Sequence, residues 1–176
     1  SPELVAELTR SGIELWTYSY RMWRENCFPF RQRYFAGFYT WTHKLKGNWM
    51  WAYHHEKHRH VWFAPGSHEP MPLTAHEARR EGIDDYRYLQ MLEDRIAANP
   101  DTQSARQATK WLMDLRARLT TTVPNKVEKS EPLALVEYDQ IREKAAVYIE
   151  KLGSAPAKAA IRSPAIHARD EAAPFR

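Results

Sequence analysis

The residues best suited to chemistry in this chain are its aromatic ones. Trp16, Tyr18, Tyr20, Trp41, Trp49, Trp51 and Tyr53 offer flat apolar faces with polar rims. Such faces stack on the C–H sides of sugar rings while the sugar hydroxyls take hydrogen bonds. The same rings can stack unpaired bases, and Arg21, Arg24, Arg31 and Arg33 lie nearby to meet phosphates. A second cluster, His54, His55, His58 and His60, would place His54 and His58 on one face of a helix, as a metal pair requires. That segment follows a strand, however, and Lys57 and Arg59 repel a cation, so we read a solvated loop and assign no metal. Glycoside hydrolysis needs two carboxylates, or one assisted by the acetamido group of the substrate. Glu25 and Glu56 follow strand ends and could reach a site there, with a surface salt bridge as the alternative reading of each. Glu14 sits at the start of its strand, and Asp84 and Asp85 lie on a later helix. Cys27 has no evident His and acid in a nucleophile motif. Catalytic residues therefore stay unassigned, and no phosphate loop, Ser elbow or zinc-finger spacing is present.

The elements that must position these groups follow from local pattern. Residues 13–20 and 48–53 have the β-branched and aromatic character of strands. In the second strand Trp49, Trp51 and Tyr53 share one face, with Met50 and Ala52 on the other. A helix over 31–44, ended by Gly47, connects them. The unit has the size of a right-handed crossover between parallel strands, about 30–40 residues. Parallel sheets normally bury both faces, and two such strands need further strands to be stable. Ligands of a parallel sheet sit beyond the carboxyl ends of its strands, which makes Tyr18, Tyr20, Trp51, Tyr53 and His54 the candidate substrate-binding residues.

Helical periodicity dominates the second half. Thr74 and Glu77 have capping-box spacing, and Ala78, Gly82, Tyr86, Leu89, Leu92 and Ile96 recur on one face of a helix ending before Asn99-Pro100. Ala105, Ala108, Leu112, Leu115 and Leu119 form a second stripe; Tyr138, Ile141, Ala145, Tyr148 and Leu152 form a third, closed by Gly153. These stripes are read as core. Residues 153–176, rich in Ala and Pro, read as a disordered tail.

The chain has 176 residues, 43% hydrophobic and 27% charged, a globular composition. No run approaches the roughly 18 apolar residues of a membrane span. One Cys excludes an internal disulfide. The net charge of +4, with 26 basic residues interleaved with 22 acidic ones, permits nucleic acid as a partner without demanding it.

The run Pro65-Gly66-Ser67-His68-Glu69-Pro70-Met71-Pro72-Leu73-Thr74, followed by Glu77-Ala78-Arg79-Arg80-Glu81-Gly82-Ile83-Asp84-Asp85-Tyr86-Arg87-Tyr88-Leu89, resembles the C-terminal signature of bacterial glycoside hydrolase-like proteins that carry the domain of unknown function 4091 and include glycoside hydrolase family 123. Arg33, Gly37, Trp41, Gly47, Trp51-Ala52-Tyr53 and Tyr138-Asp139-Gln140-Ile141-Arg142 are similar to other parts of the same family, so the resemblance spans about Gly12 to Leu152.

The resemblance implies an α/β fold, the C-terminal part of a (β/α)8 (TIM) barrel. Residues 1–98 would supply its last two parallel strands with their helices, 99–152 a helical extension and 153–176 the tail. It implies hydrolysis of glycosidic bonds, of N-acetylhexosamines in particular, without cofactor. The acid residues are expected upstream of Ser1, so that this chain alone is inactive and is partnered by carbohydrate and by the rest of the barrel. Trp51 matches the family's tryptophan on the last strand and would line the sugar site. An extracytoplasmic location in bacteria is also implied. Beside this reading stand two others, a basic aromatic module for single-stranded nucleic acid and a non-catalytic structural remnant.

Overall fold

The structure is a computed structural model that describes residues 4, 7, 8, 10–19, 29–50, 63, 64, 71, 72, 74–120 and 133–153. Strand β1 is Trp16–Ser19 and strand β2 is Gly47–Met50. Between them runs helix α1, in which Pro29–Tyr34 continues through a π-helical turn, Phe35–Tyr39, into Thr40–Thr42. Pro29 opens this helix, where its fixed φ and missing N–H cost nothing. Two-residue strands β3 (Phe63–Ala64) and β4 (Met71–Pro72) pair antiparallel. Helices α2 (Thr74–Ala98), α3 (Gln103–Thr120) and α4 (Leu135–Leu152) follow.

β1 and β2 are parallel, with Trp16 opposite Gly47, Thr17 opposite Asn48, Tyr18 opposite Trp49 and Ser19 opposite Met50. The crossover reading of residues 13–53 thus gives the right pairing and the right direction. The larger expectation fails. Among the described residues the chain is mostly helical, with four helices and only one short parallel pair, and it shows no part of a TIM barrel. The strands also lack a barrel's burial on both faces, since Trp16, Tyr18 and Trp49 are 55%, 56% and 64% exposed. A ring-rich strand reads the same in sequence whether its rings fill a core or face water, which is why the pattern misled.

The core is a helical one. Tyr34, Phe38 and Trp41 of α1, Leu89 and Leu92 of α2, Leu112, Leu115 and Leu119 of α3, and Tyr138 and Ile141 of α4 belong to one buried cluster. Every residue of the α3 stripe is buried as its spacing predicts. In α2 and α4, Tyr86, Ile96 and Tyr148 pack only at the margin. Trp41, grouped by sequence with the ligand-facing rings, is 2% exposed, and the Arg116 guanidinium lies 4.1 Å from its ring centre, a cation–π contact. Arg116 is fixed in turn by Glu93 at 2.8 Å.

Local signals set the helix ends. Asn99 Nδ2 donates to the Arg95 carbonyl at 3.1 Å as α2 stops at Ala98. The Thr102 hydroxyl accepts from the Ala105 N–H at 3.1 Å and caps α3. Gly153, at φ 71°, closes α4 in a conformation that favours glycine. At the start of α2, Glu77 pairs with Arg80 at 3.3 Å. No helix among the described residues is long and apolar enough to cross a membrane.

Just past α1, the half-buried His43 ring packs on Tyr39, centroids 4.4 Å apart, and burial lowers its pKa from the ordinary imidazole value. The folded chain therefore keeps the ring neutral at pH values where the unfolded chain takes up a proton. Its stability contribution is complete above about pH 6.5 and is lost as pH falls from there through the lowered folded pKa. His43→Phe should narrow the gap between thermal midpoints measured at about pH 7.5 and about pH 5.5. An unchanged gap would show that His43 does not titrate against the fold.

Candidate functional site

The alternation of a strand sends Asn48 to one side of the parallel pair and Trp49 to the other. Asn48 faces α1, where its Nδ2 donates to the Thr40 hydroxyl at 2.9 Å and to the Phe35 carbonyl at 3.2 Å. The Thr40 hydroxyl donates to the same carbonyl at 2.7 Å. The opposite side carries Trp16, Tyr18 and Trp49. The Trp16 indole lies across Gly47, where a Cβ would run into the ring. Its centroid is 6.2 Å from that of Trp49, with the planes tilted by 49°. Tyr18 is the direct register partner of Trp49, so three exposed rings share one face, on two strands held to a helix.

Of the five candidate substrate-binding residues, only Tyr18 is among those described, and the structure puts it in this group. Tyr20, Trp51, Tyr53 and His54 lie outside the described residues, as does the rest of the His54–His60 cluster. Trp16 and Trp49 were legible as members of the aromatic set, but the strand-end argument did not select them. Their shared face came from register.

A second constellation was not anticipated. The Asp85 side chain is fully buried. Its Oδ2 accepts from Arg33 Nε at 2.7 Å, and its Oδ1 accepts from Arg33 Nη2 at 3.2 Å and from Arg142 Nε at 2.6 Å. Arg33 reaches on to Asp139 at 2.8 Å, and Arg142 to the Glu81 carboxylate at 2.8 Å. Helices α1, α2 and α4 are thereby joined through charge. Burial pushes the Asp85 carboxyl up, against the pull of Arg33 and Arg142. Burial also works against the Arg33 and Arg142 charges, yet their carboxylate partners hold both above the ordinary guanidinium value. Bonds this short to two guanidinium groups are those of an ionised carboxylate.

The neighbouring Asp84 instead makes an exposed 3.0 Å pair with Arg87 on the helix surface, as the sequence spacing suggests. Asp85 accepts three hydrogen bonds from two arginines and is sealed from solvent, so the network ties helices together and presents no carboxylate to a substrate. Among the described residues no three His, Cys, Asp or Glu side chains converge as a metal set. No protein-family model, curated protein or solved structure matches this chain.

Proposed function

We propose that the chain binds carbohydrate, of the N-acetylhexosamine class, through the ring face formed by Trp16, Tyr18 and Trp49, as the non-catalytic part of a glycoside hydrolase-like protein. The observation that carries this reading is the exposure of three adjacent rings on one face, with the Trp16 and Trp49 planes tilted by 49°. Burying such rings would stabilise the fold; presenting them to water exposes apolar area that a sugar's C–H face can cover. The Arg80-Glu81-Gly82-Ile83-Asp84-Asp85-Tyr86-Arg87 run, similar to the glycoside hydrolase-like signature, supports the same substrate class. The described carboxylate with the most perturbed surroundings, Asp85, is consumed by two arginines, which fits a binding role and not an acid–base one.

Titration with N-acetylgalactosamine oligosaccharides, followed by tryptophan fluorescence, tests the reading. Saturable binding should change little with salt, because stacking on neutral sugar releases no counterions. Trp49→Ala should weaken it about tenfold, the equivalent of about 1.4 kcal/mol. Absence of sugar binding, together with oligonucleotide binding that falls steeply with salt, would overturn the proposal in favour of a nucleic-acid module. The chain should not turn over aryl N-acetylgalactosaminides; turnover would overturn the non-catalytic assignment.

A further inference from the structure

Arg79 crosses from α2 to the strand pair. Its Nη2 donates to the Asn48 carbonyl at 2.9 Å and also to the Asn48 side-chain oxygen. Asn48 is therefore gripped from both ends. Its amide nitrogen bonds the Phe35 carbonyl and the Thr40 hydroxyl of α1, and its amide oxygen meets Arg79 of α2. The α1 end of this grip is at the π-helical turn, Phe35–Tyr39, a widened turn of the kind that recurs at functional sites. There the Phe35 carbonyl accepts from two side chains. Burial lowers the Arg79 pKa, so its charge is spent in a partly desolvated place, where hydrogen bonds are strengthened.

The next residue along β2 is Trp49. Holding the carbonyl and the side chain of Asn48 at once fixes the peptide plane that leads into Trp49, and alternation then aims the indole at Trp16 and Tyr18. We propose that Arg79 is a positioning residue for the ring face: through Asn48 it sets the spacing and tilt of the Trp16–Trp49 pair. The two helices it links also pack through their own core. The inference rests on the proposed function for its biological meaning, but the geometry it controls can be read without any sugar.

Two indoles at this spacing and tilt couple excitonically, giving a paired band in far-ultraviolet circular dichroism. Trp16→Phe should abolish the band and so assign it; a band that survives would overturn the pairing on which the inference stands. Arg79→Met keeps the aliphatic stem and removes the donors. It should collapse the couplet while leaving the helical signal in place, and Arg79→Lys should restore part of it. Asn48→Ala, which cuts the link at its other side, should act like Arg79→Met. A couplet intact in either Arg79→Met or Asn48→Ala overturns the proposal. So does loss of the helical signal along with the couplet in both, because the pair would then hold the fold and not the face. Sugar affinity separates the two readings: if wild-type protein binds no sugar while the couplet still depends on Arg79, the positioning role stands and the carbohydrate assignment falls.

Discussion

Asp85→Ala should destabilise the protein by about 3–5 kcal/mol, the cost typical of stripping one partner from a buried ion pair. The arginines it leaves behind cannot simply return to water. The Arg33 side chain is 8% exposed and that of Arg142 24%, so both charges would stay largely desolvated with their best acceptor gone. Asp139 and Glu81 keep one contact each with them, which holds the cost within that range. Domains are commonly stable by only about 5–15 kcal/mol, so a lowered denaturant midpoint should be plain. Asp84→Ala is the control one position away. Its pair with Arg87 is solvent-exposed, and such pairs contribute about 0–1 kcal/mol. Equal effects at 84 and 85 in urea unfolding would mean that the three-helix charge network does not stabilise the fold.

Gly82→Ala should also destabilise, by about 2 kcal/mol, although helix propensity alone favours Ala by about 1 kcal/mol. A Cβ at Gly82 would come inside 3.0 Å of the Arg33 carbonyl, and one at Gly37 would stand 2.5 Å from the Gly82 carbonyl. The two glycines thus let α1 and α2 cross backbone against backbone. Neither carbonyl can swing aside as a flexible side-chain tip would, so the helices must part. Parting them also draws Arg33 away from Asp85. Gly82→Ala combined with Asp85→Ala should therefore cost less than the sum of the single changes, as expected of coupled neighbours. A stabilised Gly82→Ala variant would show that the crossing has room to spare. In sequence Gly82 is one member of a helical stripe; the structure shows that the surface it approaches is α1.

How much was legible varies from element to element. The α3 stripe was readable residue by residue, because the 3.6-residue period is a property of the chain itself and one buried face satisfies it. The stop at Asn99-Pro100 and the closure at Gly153 were readable for the same local reason. The direction of the β1–β2 pair followed from the length of its connection. The π-helical turn in α1 had no sequence signal, and it is what brings the Phe35 carbonyl to Asn48.

What the chain alone determined is much of its secondary structure and the chemistry available to it: three helical stripes, two parallel strands and an unusual store of aromatic rings. The tertiary structure decided what each of those residues is for. Trp41 and Trp49 are the same side chain eight positions apart, yet one is sealed under Arg116 and the other is 64% exposed. Asp84 and Asp85 are identical neighbours, and a turn of 100° about a helix axis sends one to water and the other between two arginines. Period and propensity are fixed over a few residues of chain. Burial and partnership depend on which distant segment arrives opposite, and that is settled only when α1, α2 and α4 close on one another.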